Sequence, residues 1–327
     1  MLTLKTVAEA QGRLRGRIRR TPLLQAVGTR PQLLVTPWLK LEHLQVTGSF
    51  KVRGALNTLL SLSPDERAGG VVTASGGNHG LGVAYAAAQV GVPATVFLPE
   101  SSPPVAEQKL RALGASVRRH GRVWDDAWIA ATAFADERDL PTIHPFDGPT
   151  IWAGQATVAA EILEDLPQVE LLLVAIGGGG LIGGIARYAR LRNPAIRIIG
   201  VEPRGAPSMR ASLEAGSVVT LPAVQTIAHN LAPRAVSPNT LALAQANVDE
   251  VVLVDDNAIY AAMRWLWEEF TLVVEPSGAA ALAALLTRAV DLAGVETAVV
   301  VLCGSNVDGS TFFQSISNVP GWPTGGG

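Results

Sequence analysis

One lysine has a sequence setting that suits covalent chemistry. Lys51 lies in the stretch TGSFKVRGA, residues 47–55, between the aromatic ring of Phe50 and a run of small residues. A lysine that is desolvated or close to another cation loses its proton more easily, and the neutral amine can form a Schiff base. Most lysines are solvated surface groups, so this stretch alone leaves both interpretations open.

Four consecutive glycines are the second chemical signal. Gly177, Gly178, Gly179 and Gly180, in AIGGGGLIGG, follow a buried-strand pattern and open a helix. Their backbone N–H groups can therefore converge on a phosphate at the helix N-terminus. The run lacks the Lys-Ser/Thr ending of an ATP-binding P-loop and the framing of a dinucleotide site, so ATP and NAD are disfavoured as ligands.

A second turn between a strand and a helix suits a carboxylate. TASGGNHG, residues 73–80, offers backbone N–H groups and a serine hydroxyl, and its asparagine could contact a polar substituent of a ring. The histidine in this turn could equally be a buried structural residue. The residues predicted to bind the carboxylate of a substrate are Ser75, Gly76, Gly77, Asn78 and His79.

A reactive lysine, a phosphate site and a carboxylate site together describe an enzyme that uses pyridoxal phosphate (PLP) on amino acids. Six stretches resemble the fold type II PLP family and are most similar to threonine/serine dehydratases and serine racemases. They occur in the family's order between residues 47 and 309: TGSFKVRGA, ASGGNHG, GGGGL, GVEPRGAPSM, EPSGAAALAAL and CGSNVDG. RRTPLL and HPFDGPTIWAGQ extend the resemblance over nearly the whole chain.

The resemblance implies a two-lobed α/β fold, tryptophan synthase β-like, with parallel-rich sheets flanked by helices and the cofactor in the cleft. We expect residues 1–62 and 148–327 to form the large PLP-binding domain, and residues 63–147 to form a small domain inserted in the chain.

The alternation of β-branched and alanine-rich stretches independently favours parallel sheets. It predicts strands at 69–75, 94–99, 116–121, 169–176, 196–203, 249–256 and 297–305, and helices at 80–91, 106–115, 124–137, 181–192, 257–270 and 277–290.

The resemblance also implies roles for individual residues. Lys51 would carry the cofactor as an aldimine, with Phe50 packed beside the ring, and Asn78 would hydrogen-bond the 3′-oxygen. Gly177 to Gly180 would hold the phosphate. Cys303 falls where the family usually has a serine facing the pyridine nitrogen. A thiol is a poor donor, so the nitrogen should stay largely unprotonated, which favours elimination over transamination.

Two departures from the family pattern bear on the reaction. Serine racemases carry a second serine in the ASGGNHG loop, as a proton donor on the face opposite the lysine, whereas this chain has Gly76. That argues against an efficient racemase. TIAHNLAP stands where dehydratases usually read Ala-Asp-Gly, which puts His229 and Asn230 near the cofactor. This departure could alter substrate choice or be a simple loop variant.

VEPRGAPSM resembles the segment in which relatives bind a cation through an acid, a backbone carbonyl and a second acid. Glu202 and the carbonyl of Ala206 are in place, but Ser208 replaces the second acid. A hard cation with one carboxylate would bind weakly, so a bound Mg²⁺, Ca²⁺ or K⁺ ion stays an open alternative.

The resemblance favours a PLP-dependent ammonia-lyase that acts on a β-hydroxy amino acid, with L-threonine and L-serine as the default substrates. Lys51 would remove the Cα proton, the β-hydroxyl would leave as water, and the aminoacrylate would hydrolyse to a 2-keto acid and ammonia. Alternatives are an amino-acid racemase of the same fold, a dehydratase for hydroxyaspartate or phenylserine, and a catalytically silent ligand-binding member. Trp124, Trp128 and Trp152 could be pocket walls or core residues.

Composition limits the partners and the compartment. The net charge of −2 provides no global attraction for nucleic acid or an anionic membrane. With one cysteine, no disulfide can form within the chain, and a reducing cytoplasm is expected. We found no signal-peptide pattern and no apolar stretch long enough to span a bilayer. The family implies a homodimer, and we expect no C-terminal regulatory domain because the chain ends soon after CGSNVDG.

The basic run at residues 12–20, GRLRGRIRR, is predicted to be the polar face of an amphipathic first helix.

Overall fold

The computed structural model describes residues 2–29 and 33–317. Within these ranges the chain forms thirteen α-helices and nine β-strands. The strands are β1 (Leu23–Gln25), β2 (Trp38–Lys40), β3 (Val71–Ala74), β4 (Ala94–Leu98), β5 (Ser116–Arg119), β6 (Leu171–Ala175), β7 (Arg197–Pro203), β8 (Glu250–Val254) and β9 (Ala298–Val301). The helices are α1 (Leu4–Leu14), α2 (Lys51–Ser61), α3 (Pro64–Ala68), α4 (Asn78–Val90), α5 (Pro104–Ala112), α6 (Trp124–Asp136), α7 (Pro149–Asp165), α8 (Gly180–Arg192), α9 (Ser208–Ala215), α10 (Pro238–Asn247), α11 (Asp256–Phe270), α12 (Pro276–Leu286) and α13 (Gly309–Ser317).

The strands form two sheets. The larger has the order β1-β2-β9-β6-β7-β8 and the smaller the order β3-β4-β5. Every neighbouring pair is parallel except β1 and β2. The predicted α/β class with parallel-rich sheets is therefore confirmed. The smaller sheet lies entirely within residues 63–147, but the domain boundaries themselves stay a prediction.

The predicted elements agree best where the strand is buried on both faces. All five residues of β6 are buried, as its continuous apolar run requires. Two predicted elements extend furthest beyond the observed ones. The helix predicted to reach residue 290 ends at Leu286, because Arg288 adopts a left-handed conformation with φ of 56°. The strand predicted to reach residue 305 ends at Val301, and Gly304 forms an isolated bridge to Ser49 instead.

The basic run at residues 12–20 is not the polar face of the first helix, so that prediction was wrong. Helix α1 ends at Leu14, and the rest of the run leaves the helix. Arg20 then reaches across to α7, where it binds Glu164 at 2.7 Å and Asp165 at 2.6 Å. Several arginines of this run therefore lie in an irregular segment after α1. The charge pattern alone could not distinguish that segment from a helix.

Three strand ends bring the predicted chemical groups together. Strand β6 leads into the glycine run at residues 177–180, and β3 leads into the turn at residues 75–77. Strand β9 leads to Cys303. Ligands of parallel α/β sheets bind at the carboxyl ends of strands, so this edge is where a site is expected.

Four charged side chains are buried beneath α2. Arg53 lies 2.7 Å from a carboxylate oxygen of Glu42 and 2.7 Å from one of Glu161, and Lys40 lies 2.6 Å from Glu161. Burial favours the neutral form of Glu42, but Arg53 and Lys40 outweigh it and lower the pKa of that carboxyl group. The positive charges of Arg53 and Lys40 balance the negative charges of Glu42 and Glu161. These ion pairs join α2 to α7 and β2.

Candidate active site

Lys51 is the first residue of α2 and is not an ordinary solvated lysine. Its Nζ donates a hydrogen bond to the carbonyl of Pro145 at 2.6 Å and lies 5.3 Å from the centre of the Phe50 ring. Burial lowers the pKa of Lys51 to about 8, although Cys303 and Glu275 act in the opposite direction. A substantial fraction of the amine is therefore neutral near physiological pH and able to act as a nucleophile.

One cavity gathers the residues that were predicted to contact the cofactor. It lies where α2, α4, α8 and α12 begin, next to the ends of β6 and β9. The nine predicted residues all line it, and whether they contact the cofactor stays a prediction. The lining residues are Phe50, Lys51, Asn78, Phe146, Ala175, Gly177, Gly178, Gly179, Gly180, Leu181, Asn230, Leu231, Glu275, Ser277 and Cys303.

The glycine run forms a cradle in which side chains do not fit. A Cβ atom on Gly178 would lie 2.2 Å from the ring of Phe146, and one on Gly180 would lie 2.5 Å from the Phe146 carbonyl oxygen. Gly179 has a φ of 88°, a conformation that favours glycine. The backbone at the start of α8 is therefore bare, and its N–H groups suit a phosphate. The cradle fits a phosphorylated cofactor.

Replacing Gly178 by Ala should weaken PLP binding about 10- to 100-fold, because the new methyl group must displace Phe146 at an overpacking cost of about 1–3 kcal/mol. The measurement is a titration of the cofactor-free protein with PLP, followed by visible absorbance. Gly12→Ala is the matched control, since a Cβ atom there would meet nothing within 4 Å. Equal PLP affinity in the two variants would contradict the cradle.

Asn78, the first residue of α4, is held from two sides. Its Nδ2 donates to Oε1 of Glu275 at 2.7 Å, and its Oδ1 accepts from Nδ2 of Asn306 at 2.6 Å. Glu275 Oε1 also accepts a bond from Nδ2 of Asn230 at 3.0 Å. Neither Glu275 nor Asn306 was predicted as a site residue, although each lies in a stretch that carries the family resemblance.

Cys303 is buried at the end of β9. Its Sγ donates to the carbonyl of Ser277 at 3.4 Å. Burial raises the pKa of the thiol well above its usual value, and the nearby Glu275 adds to the effect. The thiol therefore stays protonated, as a weak donor next to the cavity rather than a nucleophile.

The turn predicted to bind a substrate carboxylate leads directly into α4. The Gly77 N–H donates to Oγ of Ser75 at 3.3 Å, and Ser75, Gly76 and Gly77 lie next to the cavity rather than among its lining residues. His79 points elsewhere: its Nε2 lies 3.0 Å from the Ile143 carbonyl oxygen, and burial lowers the pKa of the ring to about 3. His79 can therefore serve a substrate only through its backbone N–H.

The chain matches the family model described as "Pyridoxal-phosphate dependent enzyme" over residues 14–304. It belongs to this family of PLP-dependent enzymes. The L-threonine ammonia-lyase of Geobacter sulfurreducens is 46% identical over 95% of this chain and 77% of its own length. The phenylserine dehydratase of Ralstonia pickettii is 37% identical over 96% of each chain. The solved structure of maize serine racemase has a TM-score of 0.91 at 33% identity and covers 96% of both chains.

Three tryptophans support the PLP enzyme's cavity without lining it. Trp124 donates from Nε1 to the carbonyl at the end of β3 at 2.8 Å, and it stacks on Trp128 at 5.7 Å. Trp128 meets His144 at 5.0 Å, and His144 meets Phe146 at 4.5 Å. Trp152 donates to the Phe146 carbonyl at 3.0 Å. A row of aromatic contacts therefore connects the end of β3, next to the turn at residues 75–77, with Phe146 on the cavity wall.

Glu202, which lies in the segment predicted to bind a cation, contacts the start of a helix. Oε1 of Glu202 accepts from the Met209 N–H and Oε2 from the Arg210 N–H, both at 2.8 Å, so the carboxyl group caps α9. Burial raises the pKa of Glu202 to about 7. Ser208 Oγ is buried, and the described residues contain no cluster of three or more His, Cys, Asp or Glu side chains. A cation bound by Glu202, the Ala206 carbonyl and Ser208 stays a prediction.

Proposed function

We propose that this PLP-dependent enzyme is an ammonia-lyase that eliminates water from a β-hydroxy amino acid, L-threonine or L-serine, to give a 2-keto acid and ammonia. The observation that carries the proposal is the position of Lys51, whose partly neutral amine shares one cavity with a glycine cradle. The relative named L-threonine ammonia-lyase, 46% identical, supports this substrate class.

The side chains divide the binding task. Gly177 to Gly180 would hold the phosphate of PLP, Asn78 would face a polar ring substituent, and Cys303 would lie at the ring edge as a weak donor. Backbone N–H groups of residues 75–79 would bind the substrate carboxylate. Bound PLP supplies an electron-withdrawing ring system that makes the Cα proton of the attached amino acid acidic.

Lys51 is the base in this scheme. The neutral Nζ of Lys51 would accept the Cα proton of the bound substrate. The Pro145 carbonyl, 2.6 Å from Nζ, would stabilise the ammonium that results. The β-hydroxyl would leave as water with the proton that Lys51 has taken from Cα, and addition of one water to the resulting enamine would give the keto acid and ammonia.

A racemase is the second candidate, because maize serine racemase shares the fold closely. Racemisation needs proton-transferring groups on both faces of Cα, and Gly76 provides no hydroxyl. A Cβ atom on Gly76 would lie 3.5 Å from Ser102 Oγ and 3.3 Å from Leu98. Gly76 therefore favours elimination over isomerisation.

The deciding assay measures ammonia, 2-keto acid and product chirality with the purified PLP-loaded protein. The substrates are L- and D-serine, L-threonine, threo-3-hydroxyaspartate and phenylserine, each with and without Mg²⁺. Keto acid formed from one L-substrate supports the lyase and names its substrate. A change of chirality without keto acid would replace the lyase by a racemase.

The lowered pKa of Lys51 predicts how PLP attaches to the cofactor-free protein. Only the neutral amine can attack the aldehyde of PLP, so the attachment rate should rise with pH through a midpoint near the pKa of Lys51, about 8, and level off above it. Stopped-flow absorbance at a series of pH values measures this midpoint. A midpoint near 10.5, the ordinary value for lysine, would show that the amine is not desolvated.

We further propose a cytoplasmic homodimer. The single cysteine, which is buried, supports a reducing compartment. Among the helices of residues 2–29 and 33–317, none combines the length and apolar character needed to cross a bilayer. Light scattering coupled to size-exclusion chromatography tests the dimer, and a monomeric mass in the active fraction would overturn it.

A further inference from the structure

One buried carboxyl group joins two amides that reach the cavity from different elements. Asn78 is the first residue of α4, which follows β3 of the smaller sheet, whereas Asn230 lies in the segment between α9 and α10. Both donate to the same atom, Oε1 of Glu275. We propose that Glu275 is a positioning residue, whose acceptor atom Oε1 fixes the orientation of Asn78 and Asn230 on the cavity wall.

Hydrogen bonding determines which way the Asn78 amide points. Asn306 donates from Nδ2 to the Thr47 carbonyl at 2.8 Å and to Oδ1 of Asn78 at 2.6 Å. Oδ1 of Asn78 is therefore an acceptor already in use, and its Nδ2 gives one hydrogen to Glu275. The second Nδ2 hydrogen remains for a ligand in the cavity. Without Glu275, one of the two restraints on this amide is lost.

The surroundings of Glu275 favour the uncharged form. The residue is 2% exposed, and no ion pair in the described part of the chain includes it. Lys51 and Cys303 are the titratable groups that face it; the charge of Lys51 favours ionisation of the carboxyl group, whereas the protonated thiol carries no charge. An isolated buried carboxylate would be costly.

Burial accordingly raises the pKa of Glu275, although the amides of Asn78 and Asn230, the backbone N–H of Asn306 and the charge of Lys51 favour ionisation. Oε2 makes no side-chain or backbone hydrogen bond of good geometry in the described structure. Both amides therefore depend on Oε1 alone.

Asn230 connects Glu275 with the predicted substrate site. A Cβ atom on Gly77 would lie 3.0 Å from Oδ1 of Asn230, so this oxygen faces the turn predicted to bind the carboxylate. Glu275 thus influences two distinct quantities: PLP affinity through Asn78, and the KM for the amino acid through Asn230.

The inference rests on the proposed function, and the test separates the two. Glu275→Gln keeps an acceptor oxygen for both amides and adds no charge, whereas Glu275→Met removes the acceptor at similar size. We expect Glu275→Met to lose about tenfold or more in PLP affinity, and Glu275→Gln to recover most of that loss with the wild-type absorption maximum at pH 7. Asn230→Gly should change the KM for the amino acid about 2- to 10-fold and reduce PLP affinity less than Glu275→Met does.

Three results would overturn the inference. A Gln variant as weak for PLP as the Met variant, or one with a displaced absorption maximum, would mean that Glu275 acts through its charge. Unchanged PLP affinity in the Met variant would remove its positioning role. If that variant fails to fold, the Gln spectrum and the Asn230→Gly kinetics still decide. A wild-type protein that binds no PLP, or that binds it and forms no keto acid, would instead refute the proposed function.

Discussion

Replacing Lys51 by Ala should reduce keto acid formation by at least about 10³-fold, because one change removes both the nucleophile that holds PLP and the base that takes the Cα proton. The phosphate cradle at residues 177–180 is untouched by this change. The variant should therefore still bind PLP, and the loss should appear in kcat rather than in cofactor content. The measurement is the rate of 2-keto acid release at saturating PLP, with bound cofactor determined separately.

Lys109→Ala is the control for Lys51. Lys109 is exposed on α5, so its replacement tests the loss of a lysine without any change at the cavity. Its kcat should equal that of the wild type. If Lys51→Ala kept more than a tenth of wild-type kcat, another group would have to be the base.

The second large effect concerns stability. Arg53→Met should destabilise the fold by about 3–5 kcal/mol, because Glu42 and Glu161 would lose their shared partner while remaining buried. For a chain of this size, the thermal midpoint should fall by something on the order of 5–10 °C. Midpoints must be compared at one PLP concentration, since a bound cofactor raises them.

Arg111→Met is the matched control for Arg53. Arg111 also pairs with a glutamate, Glu107, at 2.8 Å, but its side chain is 56% exposed. Exposed pairs contribute only about 0–1 kcal/mol, so its thermal midpoint should hardly change. Similar losses in both variants would show that burial of the network under α2 has no special role.

Local patterns explain what the sequence could predict. Lys51, Asn78 and the glycine run each lie in a short stretch whose residue types limit the chemistry, and each lines the cavity. Strand β6 was predicted because it is apolar throughout. Helix α7 was not assigned from the sequence, because nearly all its residues from Ile151 to Ile162 are buried and no polar face marks the helical period.

Contacts between distant segments explain what the sequence could not predict. Asn78 and Glu275 are 197 residues apart, and Asn78 and Asn306 are 228 apart, so neither bond has a local signal. The role of Glu202 was equally hidden. Its motif predicted a cation ligand, whereas only the fold shows that α9 begins where both carboxyl oxygens can cap it.

The buried position of Cys303 has a practical use for following motion in this enzyme. It is the only cysteine of the chain, and its side chain is shielded behind the cavity. Thiol-reactive dyes should therefore leave the native protein almost unlabelled. One new surface cysteine beside each sheet would then provide two clean attachment points for a fluorophore pair. Energy transfer between them would report the distance between the two sheets during turnover, with little background signal from the native thiol.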